Sequence, residues 1–182
     1  MLLIGTISRN RTRRQGTMIP RYGVLIERFK AELESLEQVV QHAENALKRA
    51  NFQPHDQDFY ITAAAFDLHS FYTGIERLFE AVANEVDQSH PKGTHWHRDL
   101  LLQMTLSIPE VRPAVLTQEA YLALLEYLEF RHLVRNVYTF HLRSERVAEL
   151  VGNLRPTFDL IRKDLLIFMN FLDSLSRADQ EG

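Results

Sequence analysis

The residues best equipped for chemistry lie between Glu126 and His141, in EYLEFRHLVRNVYTFH. Arg131, His132, Arg135, Asn136, Tyr138 and His141 all fall in a stretch that otherwise reads as a core helix. Arginine carries a rigid fork of donors that matches carboxylate or phosphate. Histidine moves protons near neutral pH, whereas asparagine can orient an oxygen but transfers no proton in that range. One stripe of the segment, Ala123, Tyr127, Phe130, Val134 and Val137, recurs at helical spacing and marks a buried face. A second stripe, Tyr121, Leu124, Leu128, Arg131, Arg135 and Tyr138, turns from apolar to cationic halfway along. Arginine takes such positions when it is paired or lines a cleft. Glu76 and Glu129 are the acids that could hold it, Glu76 reading equally as half of a surface charge pattern with Arg77. Because the helix is apolar on two faces, the second face is expected to meet another subunit.

Four long helices and a short one must position this segment. Pro20 precedes the first, expected over 21–50, where Leu25, Phe29, Leu33, Leu36, Val40, Ala43 and Leu47 keep intervals of four and three. Pro54 breaks the pattern, and Asp56 or Asp58 can cap a second helix over 57–88. Its stripe runs from Ile61 through Ala65, Leu68, Tyr72, Ile75, Phe79 and Val82 to Val86, a seven-residue repeat suited to nearly antiparallel packing. SHPKGTHWH (89–97) is the main break. Its three histidines invite a zinc reading, but only Asp99 stands near to complete a ligand set, so a loop anchored by Trp96 is preferred. A short helix over 97–104 and a proline-bearing connection follow. Thr117 caps the fourth helix, expected to end near Phe140, and Ser144 caps the last. That helix carries Val147, Val151, Leu154, Phe158, Ile161, Leu165, Phe168, Leu172 and Leu175, with Pro156 expected to kink or interrupt it near 152–155. The pattern is that of an all-α, up-and-down bundle without strands or phosphate-binding glycine loops.

The chain of 182 residues is long enough for one substantial core. It has no cysteine, which excludes disulfides, thiolate metal sites and cysteine catalysis. Its apolar runs fall short of the roughly 18 residues that span a bilayer, so no membrane association is expected, and the absence of cysteine fits a cytoplasmic location. Residues 1–17 contain four arginines and no acids, lack helical periodicity, and read as a disordered extension. The bundle is expected over 18–177 and a frayed tail over 178–182. Net charge is −3, and without the extension it is −7. An acidic body makes a poor general nucleic-acid binder, so contact with RNA would rest on a local cationic cleft.

Three segments, FYTGIERLFEAVANEV (71–86), HWHRDLLLQM (95–104) and FRHLVRNVYTFHL (130–142), resemble the HepT-like branch of the HEPN superfamily. The resemblance covers most of the chain from about Met18. It implies a homodimeric, metal-independent endoribonuclease without a cofactor, acting as the toxin of a toxin–antitoxin pair. The implied partner is a minimal nucleotidyltransferase (MNT), which in some pairs AMPylates the motif tyrosine, here Tyr138. The motif takes the form Arg-x(4–6)-His, in HepT proteins Arg-x(4)-His-x-Tyr. Two registers fit: Arg131-x(4)-Asn136-x-Tyr138, with asparagine in the histidine position, and Arg135-x(5)-His141. By resemblance Arg131 and Arg135 hold phosphate, Asn136 orients it, His141 is general acid or base, and Glu76 and His132 give support. The alternative is a catalytically weakened HEPN protein that serves as a binding or regulatory subunit of a nucleotidyltransferase. On an ideal helix Arg135 and His141 lie roughly 120° apart. Either the helix ends near Tyr138 or the cleft is shared across a two-fold axis, the second being preferred.

Overall fold

The computed structural model describes residues 22–136 and 143–181. Five α-helices account for most of them: α1 (Gly23–Phe52), α2 (Gln57–Glu85), α3 (Trp96–Gln103), α4 (Gln118–Asn136) and α5 (Ser144–Glu181). A single 3-10 turn, Pro54–Asp56, joins α1 to α2. Among the described residues the only extended pairing is one isolated bridge between Ile108 and Arg112. The architecture is the all-α bundle that the sequence periodicity implies.

α2 is the central element, packing against α1, α3, α4 and α5. Its heptad stripe is buried along its whole length, and Phe71 and Leu78 widen the buried face. Phe71 sits where three helices meet, with its ring edge-on to Tyr127 of α4 at 5.4 Å and to Phe158 of α5 at 6.2 Å. Each such side chain contributes about 1.5–3 kcal/mol by leaving water, and the edge-to-face pairs add to this. α1 approaches α2 closely at Gly74, where a Cβ would lie 2.6 Å from a Glu32 carboxylate oxygen and 2.7 Å from Leu36. A side chain there would force Glu32 and the buried Leu36 to move aside.

Polar ties fix the remaining elements. Arg155 of α5 reaches Glu44 and Glu37 of α1 at 3.1 and 2.5 Å. Thr117 caps α4, its hydroxyl accepting from the Ala120 amide at 3.3 Å. The amide and hydroxyl of Thr117 both donate to Asp164 Oδ2 of α5 at 2.8 Å. Asp87, just beyond α2, binds Arg112 through Nε at 2.5 Å and Nη2 at 2.7 Å, and both side chains are essentially inaccessible. This pair closes the connections on either side of α3.

The structure departs from the sequence reading in three places. Asp56 stands at the N-cap position of α2 but makes no side-chain capping bond. At α5 the carbonyl of Arg143 accepts from the Arg146 and Val147 amides, so Ser144 is the first helical residue rather than the cap. Pro156 does not interrupt α5, which runs continuously to Glu181. A proline removes one amide donor, and the flanking Leu154, Phe158 and Ile161 are fully buried, holding the helix together from the core side. The expected end of α4 near Phe140 and the N-terminal extension lie outside the described residues.

Candidate functional site

The site is assembled by α2, α3 and the second half of α4. Arg131 follows Leu124 and Leu128 on one face of α4, and all three are buried within this one chain. The second stripe therefore needs no second subunit to cover it over these positions. That corrects the inference from its apolar character: α2 and α3 both lie against α4 and supply the cover.

Burying a guanidinium demands a counter-charge, and Glu76 provides it. Its Oε2 lies 2.9 Å from Arg131 Nη2, and both side chains are about nine-tenths buried. Glu76, not Glu129, is the partner, and the reading of Glu76 as a surface residue paired with Arg77 does not hold. Arg77 instead donates to Glu32 at 2.7 Å. The second oxygen of Glu76 takes a short hydrogen bond from His97 Nδ1 of α3, an imidazole that is itself nine-tenths buried. A carboxylate facing a cation can only accept, so Nδ1 of His97 carries hydrogen. The 3.3 Å approach of Arg131 Nη1 to the same Nδ1 is then a packing contact between two donors. Arg131 Nε has no hydrogen-bond partner among the described residues.

Aromatic rings complete the seating. Trp96 lies over His97 with ring centroids 3.6 Å apart, and His90 lies 5.3 Å from Trp96. Trp96 thus anchors the segment, as its sequence suggests, and it does so through an imidazole. The Tyr72 ring lies 6.0 Å from the Arg131 guanidinium, and burial drives its phenol well above the ordinary tyrosine range. Beside this floor opens a cavity of about 320 Å³ lined by Thr94, His95, His97, Arg98, Glu129 and His132, with Leu125 and Leu128 behind. His132 is exposed on α4, its ring 5.3 Å from His97.

Of the sequence-derived candidates, the structure brings Glu76, Arg131 and His132 into one place. Arg135 and Asn136 occupy the final turn of α4, one turn beyond Arg131 and His132. Their side chains, together with Tyr138 and His141, lie outside the described residues. The choice between the two motif registers and the composite cleft lies there too. Among the described residues no group of His, Cys, Asp or Glu is arranged to hold a metal ion. His97 escaped the sequence reading, where it counted only as one of three histidines in a loop. The signal was present: His97, Leu100, Leu101 and Met104 share one helical face, and all four are buried.

Nothing among curated proteins and nothing among solved structures matches this chain. A family model described as HepT-like protein matches residues 63–172, from the first turns of α2 to the last third of α5. That span holds every described element of the site and exceeds half the chain, so the protein belongs to the HepT-like family of the HEPN superfamily.

Proposed function

We propose that this protein is a HepT-like toxin that cleaves RNA without a metal ion and is neutralised by a nucleotidyltransferase partner. The observation that carries the reading is the cavity between α3 and α4, where the imidazoles of His95, His97 and His132 and the Arg98 guanidinium converge beside a buried Glu76–Arg131 pair. In this reaction the RNA 2′-oxygen bonds to the adjacent phosphorus and the bond to the 5′-oxygen breaks. A base takes the 2′ proton, an acid gives one to the 5′-oxygen, and a cation stabilises the phosphorane. Arg135, one turn beyond Arg131, is assigned the phosphate, Asn136 its orientation, and His141 a proton transfer. Arg131 has two of its three nitrogens turned to Glu76 and His97. Its role is accordingly to position the site rather than to clamp phosphate. Tyr138 is the proposed AMPylation site.

Induced expression tests the reading. Growth should arrest, and co-expression of a genetically adjacent nucleotidyltransferase should relieve it. Purified protein should cut bulk RNA in excess EDTA and leave 2′,3′-cyclic phosphate ends. The second reading, a non-cleaving subunit of a nucleotidyltransferase, draws on Asn136 standing where the first register needs an imidazole. A tight complex with the transferase, without RNA cleavage by the free protein, would favour it.

A further inference from the structure

The Arg131-x(4)-Asn136 register lacks an imidazole, and the fold sets one against it from another helix. We propose that His97 of α3 is the general base of the cleavage reaction, an inference that rests on the ribonuclease reading. Three observations support it. His97 lines the cavity while its side chain is nine-tenths buried. Its Nδ1 is committed to Glu76, which fixes the tautomer and leaves the lone pair on Nε2. Both contacts given for the ring's nitrogens among the described residues are made by Nδ1, and Nε2 is the atom assigned to a substrate hydroxyl.

This arrangement differs from that of a histidine buried for packing. Trp96 holds the ring on one face, Glu76 holds one nitrogen, and the residue borders the cavity. Carboxylate, imidazole and substrate oxygen in series form the orienting arrangement used wherever a histidine must accept a proton from a hydroxyl. In the step proposed, Nε2 takes the proton of the RNA 2′-hydroxyl as the 2′-oxygen bonds to phosphorus. The P–O5′ bond breaks, and the leaving oxygen is protonated by water. The charged and titratable groups around His97 are Glu76 from α2, Arg131 and His132 from α4, and Glu129, Arg98 and His95 at the cavity.

The experiment compares wild type with His97→Gln on RNA containing a mapped cleavage site. Binding is measured separately on the same oligonucleotide with a 2′-deoxy sugar at that site. The expected result is a kcat loss of about 10²–10⁴-fold, KM and deoxy-oligonucleotide affinity within about threefold, and loss of the acidic limb of the pH–rate profile. Should the variant lose stability, residual activity below its melting transition still reports the profile, and an unchanged acidic limb overturns the assignment. If wild type cleaves and His97→Gln cleaves equally well, His97 is not the base, while the ribonuclease reading stands. If folded wild-type protein cleaves no RNA, the ribonuclease reading falls and takes this assignment with it.

Discussion

Two buried arginines in this bundle are held in opposite ways. Arg112 binds both oxygens of Asp87 and donates besides to the carbonyls of Leu106, Pro113 and Gln103, at 2.8–3.1 Å. Its five N–H groups each find an acceptor, which is the full capacity of a guanidinium. Arg131 meets one carboxylate oxygen, approaches one imidazole and leaves Nε without a partner, beside an open cavity. A fully satisfied buried ion pair fixes structure on its own, whereas Arg131 stays under-satisfied and shares its carboxylate with an imidazole that lines the cavity. The difference separates the scaffold of this protein from its candidate site.

Arg112→Ala should break the scaffold most severely. Asp87 would stay buried without a cation, at a cost of about 3–5 kcal/mol. For a chain of this size the melting temperature should fall by roughly 6–20 °C, as read by circular dichroism. Cleavage by the fraction still folded should persist, which separates this pair from the other.

Glu76→Gln should invert that pattern. It keeps the shape and one acceptor but leaves the buried Arg131 without a counter-charge, so stability also falls, by about 3–5 kcal/mol, and the inversion lies in the cleavage. RNA cleavage should drop at least tenfold, because the neutral amide neither balances Arg131 nor holds His97 as firmly. If the folded fraction of Glu76→Gln cleaved as well as wild type, the two pairs would be equivalent and the distinction between scaffold and site would be lost.

Tyr127, one turn before Arg131, sharpens the comparison by pH. Burial pushes its phenol up to about 12, and its hydroxyl donates to the Leu150 carbonyl at 2.9 Å. A group raised in the folded state stabilises below its ordinary value and loses that contribution as pH climbs through the raised one. Wild type should therefore lose stability between pH 10 and 12. Tyr127→Phe should be about 1 kcal/mol less stable at pH 7 and should lose less across that window, as followed by urea denaturation. A comparable loss, about 1 kcal/mol by the same denaturation, belongs to Thr117→Ala, which removes the cap and the hydroxyl bond to Asp164 while the residue 117 amide keeps its own.

Much of this was legible in the sequence because helical burial is periodic. The stripes of α1, α2 and α5 are buried almost residue for residue, and only their ends, such as Leu47 and Leu175, are partly exposed. Glu76 could be named because a carboxylate close to an apolar stripe must find a cation. Arg112 could not be foreseen, since its partner lies 25 residues away across two loops and leaves no local pattern. His97 was hidden by its neighbours: three close histidines suggest metal before they suggest one histidine facing inward. The interruption expected at Pro156 does not occur, because a proline's effect on a helix depends on what packs beside it, which its own position does not reveal.

The clasp between Thr117 and Asp164 has a mechanical consequence. It holds α4 at its first turn, fourteen residues before Arg131, or about 21 Å along the axis at 1.5 Å per residue. α4 is thus a lever pinned at the end remote from the chemistry, and a tilt of about 3° about the pin displaces Arg131 by about 1 Å. A misplacement of that size can cost a catalyst about a hundredfold in rate. Asp164, which does not line the cavity, therefore adds to the packing of Leu124, Tyr127 and Leu128 in holding that aim.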